Sequence, residues 1–296
     1  MKYILPDHDE PLFRPPSEAA SLIFQITRGC SWNRCAFCEM YTTKRFSVRP
    51  EEETLEEIRR TAEIAADARK IFLADGDAMA ISTRRLINIL NEINKYYPKA
   101  RRISAYASPR NLRDKSVDEL IEIRRAGLEL IYVGIESGDD EVLRMADKGE
   151  TYQSTAESML KAKEADIKIS SMIITGLGGR RYSEQHAINS ARLVSRIGPE
   201  FLSTLVLSFP FGVDHFRGRF DGEFEEMGMM DLLREMRLFI ENLELAGSIF
   251  RSDHASNYLS LRGILSRDKA RLLEKIDYAL NNPGSAGLRP EWMRGL

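Results

Sequence analysis

Three cysteines lie close together near the beginning of the chain, and the sequence contains no others. Cys30, Cys35 and Cys38 fall within nine residues, and an odd number so closely spaced does not form a disulfide framework. Thiolates are metal ligands, and three of them can hold an iron–sulfur cubane while one iron keeps an open position for chemistry. The spacing therefore predicts a metal or redox site.

Two other interpretations of the cysteines stay open. A structural zinc site needs a fourth ligand, and none of the four histidines is close to the cysteines in the sequence. These histidines are His8, His186, His215 and His254. Three ordinary buried thiols are the second alternative, although Gly29, Asn33 and Arg34 are typical of an exposed loop and not of a core strand.

The composition is that of a folded globular protein. Of the 296 residues, 43% are hydrophobic and 30% are charged, which suits one large or two ordinary domains. No apolar run approaches the roughly 18 residues that span a bilayer, and proline and acids interrupt the N-terminal segment before a signal peptide develops. The net charge is −2, and the lysines and arginines are spread along the chain, so the sequence predicts no basic surface for nucleic acid. We therefore expect a cytoplasmic protein without a membrane or nucleic-acid partner.

Short β-rich runs alternate with stretches of helical periodicity. One helix is predicted directly after Pro50, and another between Ser82, as its N-cap, and Pro98. This alternation predicts a parallel sheet, because tight turns cannot join parallel strands. The expected fold is α/β, a partial (β/α)6 TIM-like barrel with a C-terminal helical extension, and an open sheet is the alternative. In either case we expect the site at the carboxyl ends of the strands. The six predicted strands are Ser21–Thr27, Lys70–Gly76, Arg101–Ser108, Leu130–Ser137, Lys168–Gly176 and Phe201–Pro210.

The chain is expected to have three parts. Residues 1–20 form an N-terminal extension, residues 21–210 form the barrel, and residues 211–296 form a lid and helical extension packed on the barrel. The lid, Phe211–Met230, is rich in Gly, Phe, Met and charge. Helical patterns follow it at Asp231–Leu245 and Arg267–Leu280.

The cysteine segment resembles the signature of the radical S-adenosylmethionine (SAM) superfamily. That signature is three cysteines after the first strand of a partial barrel, with an aromatic residue before the third, here Phe37. The resemblance implies an oxygen-sensitive [4Fe-4S] cluster whose unique iron binds SAM, and cleavage of SAM to methionine and a 5′-deoxyadenosyl radical. Four residues separate Cys30 from Cys35, where the family commonly has three. The extra residue adds at most about 3.6 Å of chain, which a loop can absorb.

Polar residues at the ends of the predicted strands extend the resemblance. Asp75, Gly76 and Asp77 stand where the family carries a Gly-Gly-Glu stretch that binds the methionyl amino group. A plain strand-to-helix turn is the alternative for this stretch. Ser104, on the third strand, and its alternate neighbours are weaker candidates for a cofactor contact.

The fourth and fifth strands end in further candidates. The stretch around Glu136 and Ser137 resembles that of the radical family related to methylthiotransferases and oxygen-independent coproporphyrinogen oxidases, where the residue matching Glu136 faces the ribose. A structural arginine partner is the alternative for this acid. The resemblance further implies that cations near Glu136 meet the cofactor carboxylate, and that an aliphatic side chain and backbone meet adenine. The corresponding residues here are Arg144 and Lys148, and Ile174 and Gly176.

Polar side chains in the C-terminal extension are candidates for the substrate site. Asp253, His254 and Asn257 could bind substrate or transfer protons, and a turn held by its own polar side chains is the alternative. The resemblance implies a small-molecule substrate and an electron donor such as flavodoxin or ferredoxin.

Two alternative functions stay open. One is an enzyme that keeps the cluster and SAM but transfers a 3-amino-3-carboxypropyl group, for which the unusual cysteine spacing leaves room. The other is a non-catalytic iron–sulfur or zinc protein that senses redox state. The absence of further cysteines argues against an auxiliary cluster and hence against methylthiotransferases.

Overall fold

The computed structural model describes Pro6 and residues 8–295. The chain divides into two compact units. The first contains the described residues up to Asn33 together with Cys38–Val133 and Glu157–Ile169. The second contains Arg34–Phe37, Gly134–Ala156 and the chain from Ser170 onward. Each unit has its own set of neighbouring parallel strands.

The strands of the first unit lie in the order β1-β4-β5-β6. Each neighbouring pair is parallel, with Phe24 opposite Leu73 and Leu73 opposite Ala105. Strands β2 and β3 form a separate, short antiparallel sheet, which was not predicted. The bounds are β1 (Leu22–Gln25), β2 (Thr27–Arg28), β3 (Ser47–Val48), β4 (Lys70–Ala74), β5 (Arg102–Ala107) and β6 (Leu128–Glu136). The parallel arrangement confirms the prediction from strand–helix alternation.

Helices connect these strands, and their ends follow the capping chemistry of the sequence. Their bounds are α1 (Glu51–Ala65), α2 (Thr83–Tyr96), α3 (Pro109–Arg113) and α4 (Val117–Arg125). Ser82 is the N-cap of α2, as predicted, but its side chain caps no amide among the described residues. Ser116 instead forms a capping box with Glu119 at the start of α4.

The N-terminal extension places a buried acid at the amino ends of the strands. The Glu18 side chain is completely buried, and Oε1 accepts hydrogen bonds from Arg102 Nη2 at 2.6 Å and from Tyr132 OH at 2.5 Å. Ser104 Oγ donates to the same oxygen at 3.1 Å. Ser104 is therefore already engaged by Glu18, close to the beginning of β5.

In the second unit β7 (Lys168–Thr175), β8 (Phe201–Val206) and β9 (Ile249–Ser252) are parallel neighbours, and β10 (Leu261–Ile264) is antiparallel to β9. Strands β9 and β10 were not predicted. The remaining helices are α5 (Asp140–Met145), α6 (Tyr152–Glu164), α7 (Gly179–Ile197), α8 (Val213–Arg219), α9 (Met229–Glu241) and α10 (Leu265–Asn281). Helices α9 and α10 confirm the predicted helical extension, and the α/β class is confirmed. Every helix within the described residues is too short or too polar to cross a bilayer.

Candidate active site

The three cysteines are not in disulfide bonds, and each lies half-buried on the segment that follows β2. Cys30 and Cys38 belong to the first unit, and Cys35 belongs to the second. Within Pro6 and residues 8–295, no three His, Cys, Asp or Glu side chains converge closely enough to hold a single metal ion. Cluster binding by the cysteines therefore stays a prediction.

Asp75, directly after β4, holds the backbone that precedes Cys30. Its carboxylate is fully buried, and Oδ2 accepts hydrogen bonds from the Gly29 amide at 3.1 Å, Gln25 Nε2 at 3.0 Å and Lys44 Nζ at 3.0 Å. The other oxygen, Oδ1, has no hydrogen-bond partner in the described part of the chain. A buried acceptor of this kind is costly unless a donor reaches it.

Asp77 binds Ser31, the residue that follows Cys30. Its carboxylate accepts hydrogen bonds from the Ser31 hydroxyl and, at 3.3 Å, from the Ser31 amide. Burial raises the pKa of Asp77 above its ordinary value, and the hydrogen bonds from Ser31 offset part of that rise. Oδ1 of Asp77 is also buried without a partner among the residues described. The first unit thus brings both predicted acids to the two residues that flank Cys30.

Gly76, between the two acids, lies against an aromatic ring. A Cβ atom at Gly76 would come within 2.4 Å of the Tyr41 ring. No real Cβ atom is accommodated at that distance without movement of the ring or the backbone. The glycine is therefore required for packing against Tyr41, whether or not a ligand also lies nearby.

Glu136 ends β6 in the second unit with a left-handed backbone, φ 67°. Lys148 Nζ lies 3.4 Å from Oε1, and Oε2 is buried without a hydrogen-bond partner in the described residues. Burial raises the pKa of Glu136, and Lys148 lowers it in part. Lys148 Nζ also lies 5.9 Å from the centre of the Phe37 ring. Glu136, Lys148 and Phe37, three of the predicted cofactor residues, thus occupy one place.

A buried polar network supports the end of β7, and the sequence did not reveal it. His186 on α7 donates from Nε2 to the Ile174 carbonyl at 3.0 Å, because that atom faces an acceptor. Its Nδ1 accepts a hydrogen bond from the Ser137 hydroxyl at 2.8 Å. Ser137 in turn accepts the Asp139 amide at 3.0 Å. Ser137 and the Ile174 carbonyl are therefore engaged inside the protein.

Glu235 on α9 is the second member of this network. It is 3% exposed, and its carboxylate accepts hydrogen bonds from the Gly176 amide and the Ser183 hydroxyl, each at 2.6 Å. His186 Nε2 lies 3.8 Å away. The burial of Glu235 could have been predicted from the sequence, because this residue stands on the apolar stripe of α9 beside Leu232 and Met236. An acid on such a stripe needs internal partners.

Arg144 is placed differently from its predicted companions. It lies at the surface on α5, where its guanidinium bonds both oxygens of Glu141, at 2.8 and 3.0 Å, and the carboxylate of Asp221. These partners occupy it within its own unit. Of the two predicted cations, Lys148 is the one that lies against Glu136.

The three predicted substrate residues belong to a turn that is held by polar contacts. His254 Nδ1 accepts hydrogen bonds from the Ser256 hydroxyl and amide at 3.0 and 3.1 Å, and Asn257 Nδ2 donates to the Thr204 carbonyl at 2.9 Å. Asp253 pairs with Arg262. Burial, and secondarily the nearby Arg289, lower the pKa of His254.

A cavity of about 500 Å³ lies beside this turn, within the second unit. Gly176 and the end of β8 form one wall, and the chain after residue 210 forms the rest. The turn contributes Ser256 and Tyr258 to the lining and not the three predicted residues. Other polar lining residues are Ser208, Glu226, Glu291 and Arg294, and apolar lining residues include Leu207, Phe209, Phe224, Met227 and Leu232.

Comparison with known proteins identifies relatives of this sequence. A heme chaperone of Bacillus subtilis is 24% identical over 48% of this chain and 37% of its own length. A Methanocaldococcus jannaschii protein provisionally described as a methylthiotransferase is 23% identical over 76% of this chain. The chain spans 55% of that second relative.

Solved structures share the fold. Coproporphyrinogen III oxidase from Escherichia coli, described as a radical SAM enzyme, matches with a TM-score of 0.57 and 16% identity over 74% of this chain and 52% of its own. Methylornithine synthase matches with a TM-score of 0.51 and 16% identity over 75% and 63% of the two chains. Both are partial (β/α) barrels, which confirms the predicted fold.

The family model that describes the radical SAM superfamily matches residues 24–192, more than half of the chain. This range contains the cysteine segment, both acids after β4, and Glu136. Members of the family are enzymes that use a [4Fe-4S] cluster and SAM. The chain therefore belongs to the radical SAM superfamily.

Proposed function

We propose that this enzyme cleaves SAM reductively and abstracts hydrogen from a small-molecule substrate, with Cys30, Cys35 and Cys38 as the cluster ligands. The cluster, when bound, supplies the electron that breaks the sulfonium bond and yields methionine and the 5′-deoxyadenosyl radical. The protein binds and orients the cofactor and excludes water. Family membership supports this chemistry, and the assignment of residues is our inference.

The observation that carries the proposal is a set of buried carboxylate oxygens that make no hydrogen bond of normal geometry within the described chain. Oδ1 of Asp75, Oδ1 of Asp77 and Oε2 of Glu136 are the atoms concerned, as far as the described residues show. All three stand at or directly after strand ends. Such acceptors suit the donors of SAM, which carries an ammonium group and a ribose diol. The residues present therefore fit the cofactor.

The cysteines fit a cluster better than a single ion. A cubane offers each thiolate a different iron, so the three sulfurs do not have to converge on one point. The Gly29 and Ser31 amides, bound by Asp75 and Asp77, fix the backbone on either side of Cys30. The fourth intervening residue between Cys30 and Cys35 lengthens the loop without preventing ligation.

Each remaining residue has a proposed task. Asp75 and Asp77 receive the methionyl ammonium group, Glu136 receives the ribose, and Lys148 balances the charge of Glu136 and attracts the methionyl carboxylate. Because Gly176 N and the Ile174 carbonyl are already bonded to Glu235 and His186, apolar contact is what β7 offers to adenine. Ser104, Ser137 and Arg144 are bonded elsewhere, so we give them no direct role.

The substrate is proposed to occupy the 500 Å³ cavity that the C-terminal extension lines. Its mixture of Phe, Met and Leu with Ser, Tyr, Glu and Arg suits a small molecule that is partly apolar and partly hydrogen-bonding. Ser256 and Tyr258 are the contacts we propose from the turn, with His254 and Asn257 supporting them. We also propose a cytoplasmic location and a flavodoxin or ferredoxin as electron donor.

The decisive experiment is anaerobic reconstitution with iron and sulfide, followed by reduction in the presence of SAM. Iron, absorbance of the cluster and the nucleoside product are measured for the wild type and for the Cys30→Ala, Cys35→Ala and Cys38→Ala variants. We expect a cluster and 5′-deoxyadenosine with the wild type, and neither with the variants. Thr43→Ala, at an exposed position after Cys38, leaves all thiols in place and is the matched control for cluster content.

Two outcomes would replace the proposal. Release of methylthioadenosine would indicate transfer of a 3-amino-3-carboxypropyl group, the alternative for which the unusual cysteine spacing leaves room. Tight zinc binding without affinity for SAM would indicate a non-catalytic metal protein. Because the first keeps the cluster and the second loses it, iron content and product identity separate them.

A further inference from the structure

The backbone of Cys35 and Ala36 is held from two sides inside the second unit. Arg219, the last residue of α8, donates from Nη2 to the Cys35 carbonyl at 2.9 Å. On the other side, the Ala36 amide donates to the Ala146 carbonyl at 2.9 Å. The Cys35 carbonyl and the Ala36 amide belong to one peptide group, which is therefore bonded on both sides to distant parts of the chain.

The same part of the chain is packed by aromatic rings. Ala36 is 1% exposed and lies in an apolar cluster with Met145 and three phenylalanines on or after α8. These are Phe216, Phe220 and Phe224, whose ring centres lie 4.7 to 5.5 Å apart. Phe37 packs against the cluster as well. The segment that the sequence analysis regarded as a lid thus lies directly on residues 36 and 37.

The end of α8 is in turn fixed to the chain after α5. The Asp221 amide donates to the Met145 carbonyl at 2.8 Å, and the Asp221 carboxylate bonds Arg144. A Cβ atom at Gly222 would come within 2.7 Å of Met145 Sδ, so Gly222 packs directly against the Met145 side chain. The end of α8, which carries Arg219, is therefore itself held in place by these contacts.

We propose that Arg219 is a positioning residue for the iron–sulfur cluster, acting through the Cys35 peptide. This inference rests on the proposed function, in which Cys35 is a cluster ligand. The hydrogen bond fixes the peptide that carries the ligand, so the site is formed before iron arrives. The guanidinium also places a positive charge beside the ligand, which stabilises the more negative, reduced state of the cluster.

The first test uses iron-free protein and measures amide hydrogen exchange at Ala36. Loss of one hydrogen bond, worth about 1 kcal/mol, should make exchange about fivefold faster in Arg219→Met. Arg217→Met is the matched control, since Arg217 stands on the same helix, is exposed, and pairs with Asp214 at 3.1 Å. It should exchange at the wild-type rate.

The second test uses reconstituted protein and measures the midpoint potential of the cluster by EPR-monitored titration. Arg219→Met should shift the potential to a more negative value, and Arg219→Lys, which keeps the charge, should restore part of the shift. A merely structural role would not produce this dependence on charge. Arg217→Met should leave the potential unchanged.

The outcomes separate this inference from the proposed function. A wild type that takes up no cluster would overturn the proposed function. A wild type with a cluster, but with Arg219→Met unchanged in exchange or in potential, would overturn the positioning role alone.

Discussion

Glu136 combines a buried charge with an unsatisfied oxygen, which makes it costly in the absence of a ligand. Glu136→Gln keeps the shape and removes the charge. We expect the affinity for SAM to fall about tenfold, as for loss of a charge-assisted hydrogen bond of about 1.4 kcal/mol. The free energy of unfolding should fall as well, because Lys148 would be left without the buried carboxylate that pairs with it. Calorimetric titration with SAM and urea unfolding measure the two effects.

The matched control for Glu136 lies on the same strand. Glu129 pairs with Lys168 at 2.7 Å and is partly exposed. Glu129→Gln should therefore leave the affinity for SAM unchanged. Equal affinities for the wild type and Glu136→Gln would remove Glu136 from the cofactor site.

Gly76 tests whether the loop between the two acids tolerates a side chain. Gly76→Ala should destabilise the protein by about 1–3 kcal/mol, because its Cβ would overlap the Tyr41 ring. In a Tyr41→Leu background the same change should cost at least about 1 kcal/mol less. Gly247→Ala is the control, since a Cβ there meets no described atom within 4 Å. Urea unfolding of the four Gly76 and Tyr41 combinations gives the coupling energy, and a coupling near zero would contradict steric contact.

At this scale the sequence identified acids and missed their partners. Asp75, Asp77 and Glu136 could be found because each polar residue follows an apolar strand, where a parallel sheet places functional groups. Gln25 and Lys44, which bond Asp75, lie 50 and 31 residues away along the chain. No local pattern connects such residues, because Gln25 reaches Asp75 through the pairing of β1 with β4 and Lys44 reaches it from the segment between β2 and β3.

Among the elements, α9 carries the clearest pH effect. Burial raises the pKa of Glu235 above its ordinary 4.5, so the folded protein holds this proton more tightly than the unfolded chain does. The free energy of unfolding should therefore fall as the pH rises through and above 4.5. Glu235→Gln cannot titrate, and its stability should fall less over the same range.

The measurement for Glu235 is urea unfolding from about pH 5 to about pH 8. Exposed Glu241, which pairs with Arg237 on the same helix, supplies the control variant Glu241→Gln. That variant should retain the wild-type pH dependence. Parallel curves for the wild type and Glu235→Gln would show that Glu235 does not contribute to it.

Long elements were predictable and short ones were not. Helices α1, α2, α9 and α10 have clear periodicity over thirteen or more residues, and proline or serine marks the beginning or end of several. Strands β9 and β10 have four residues each, too few for a periodic pattern to develop. Their pairing depends on tertiary contact with β8 and with each other.

For the whole molecule, strand–helix alternation predicted the parallel sheet, because parallel strands leave few ways to connect, and the number of units favoured a partial barrel over an open sheet. The lining of the cavity was beyond sequence reasoning. Ser256 and Tyr258 lie next to the predicted residues His254 and Asn257, but Glu291 and Arg294 come from the far C-terminal segment. Their presence in the cavity depends on how that segment folds back onto the turn.

Arg289 is one of the residues that join this C-terminal segment to the turn. Its Nη1 lies 2.6 to 2.9 Å from the carbonyl oxygens of His254, Ala255 and Asn257. Because three carbonyls share one cation, Arg289→Ala should lower the free energy of unfolding by about 1–3 kcal/mol. It should also speed amide exchange at Asn257, whose amide bonds the His254 carbonyl.

Arg262→Ala is the control for Arg289, because its exposed guanidinium pairs with Asp253 of the same turn. An exposed ion pair contributes at most about 1 kcal/mol, so this variant should change stability little and leave exchange at Asn257 near the wild-type rate. If the two variants behave alike, the C-terminal segment does not stabilise the turn. If Arg289→Ala alone loosens it, the wall of the cavity formed by Ser256 and Tyr258 depends on contacts from residues after 288, and substrate selectivity can change through that segment while the cysteine segment stays intact.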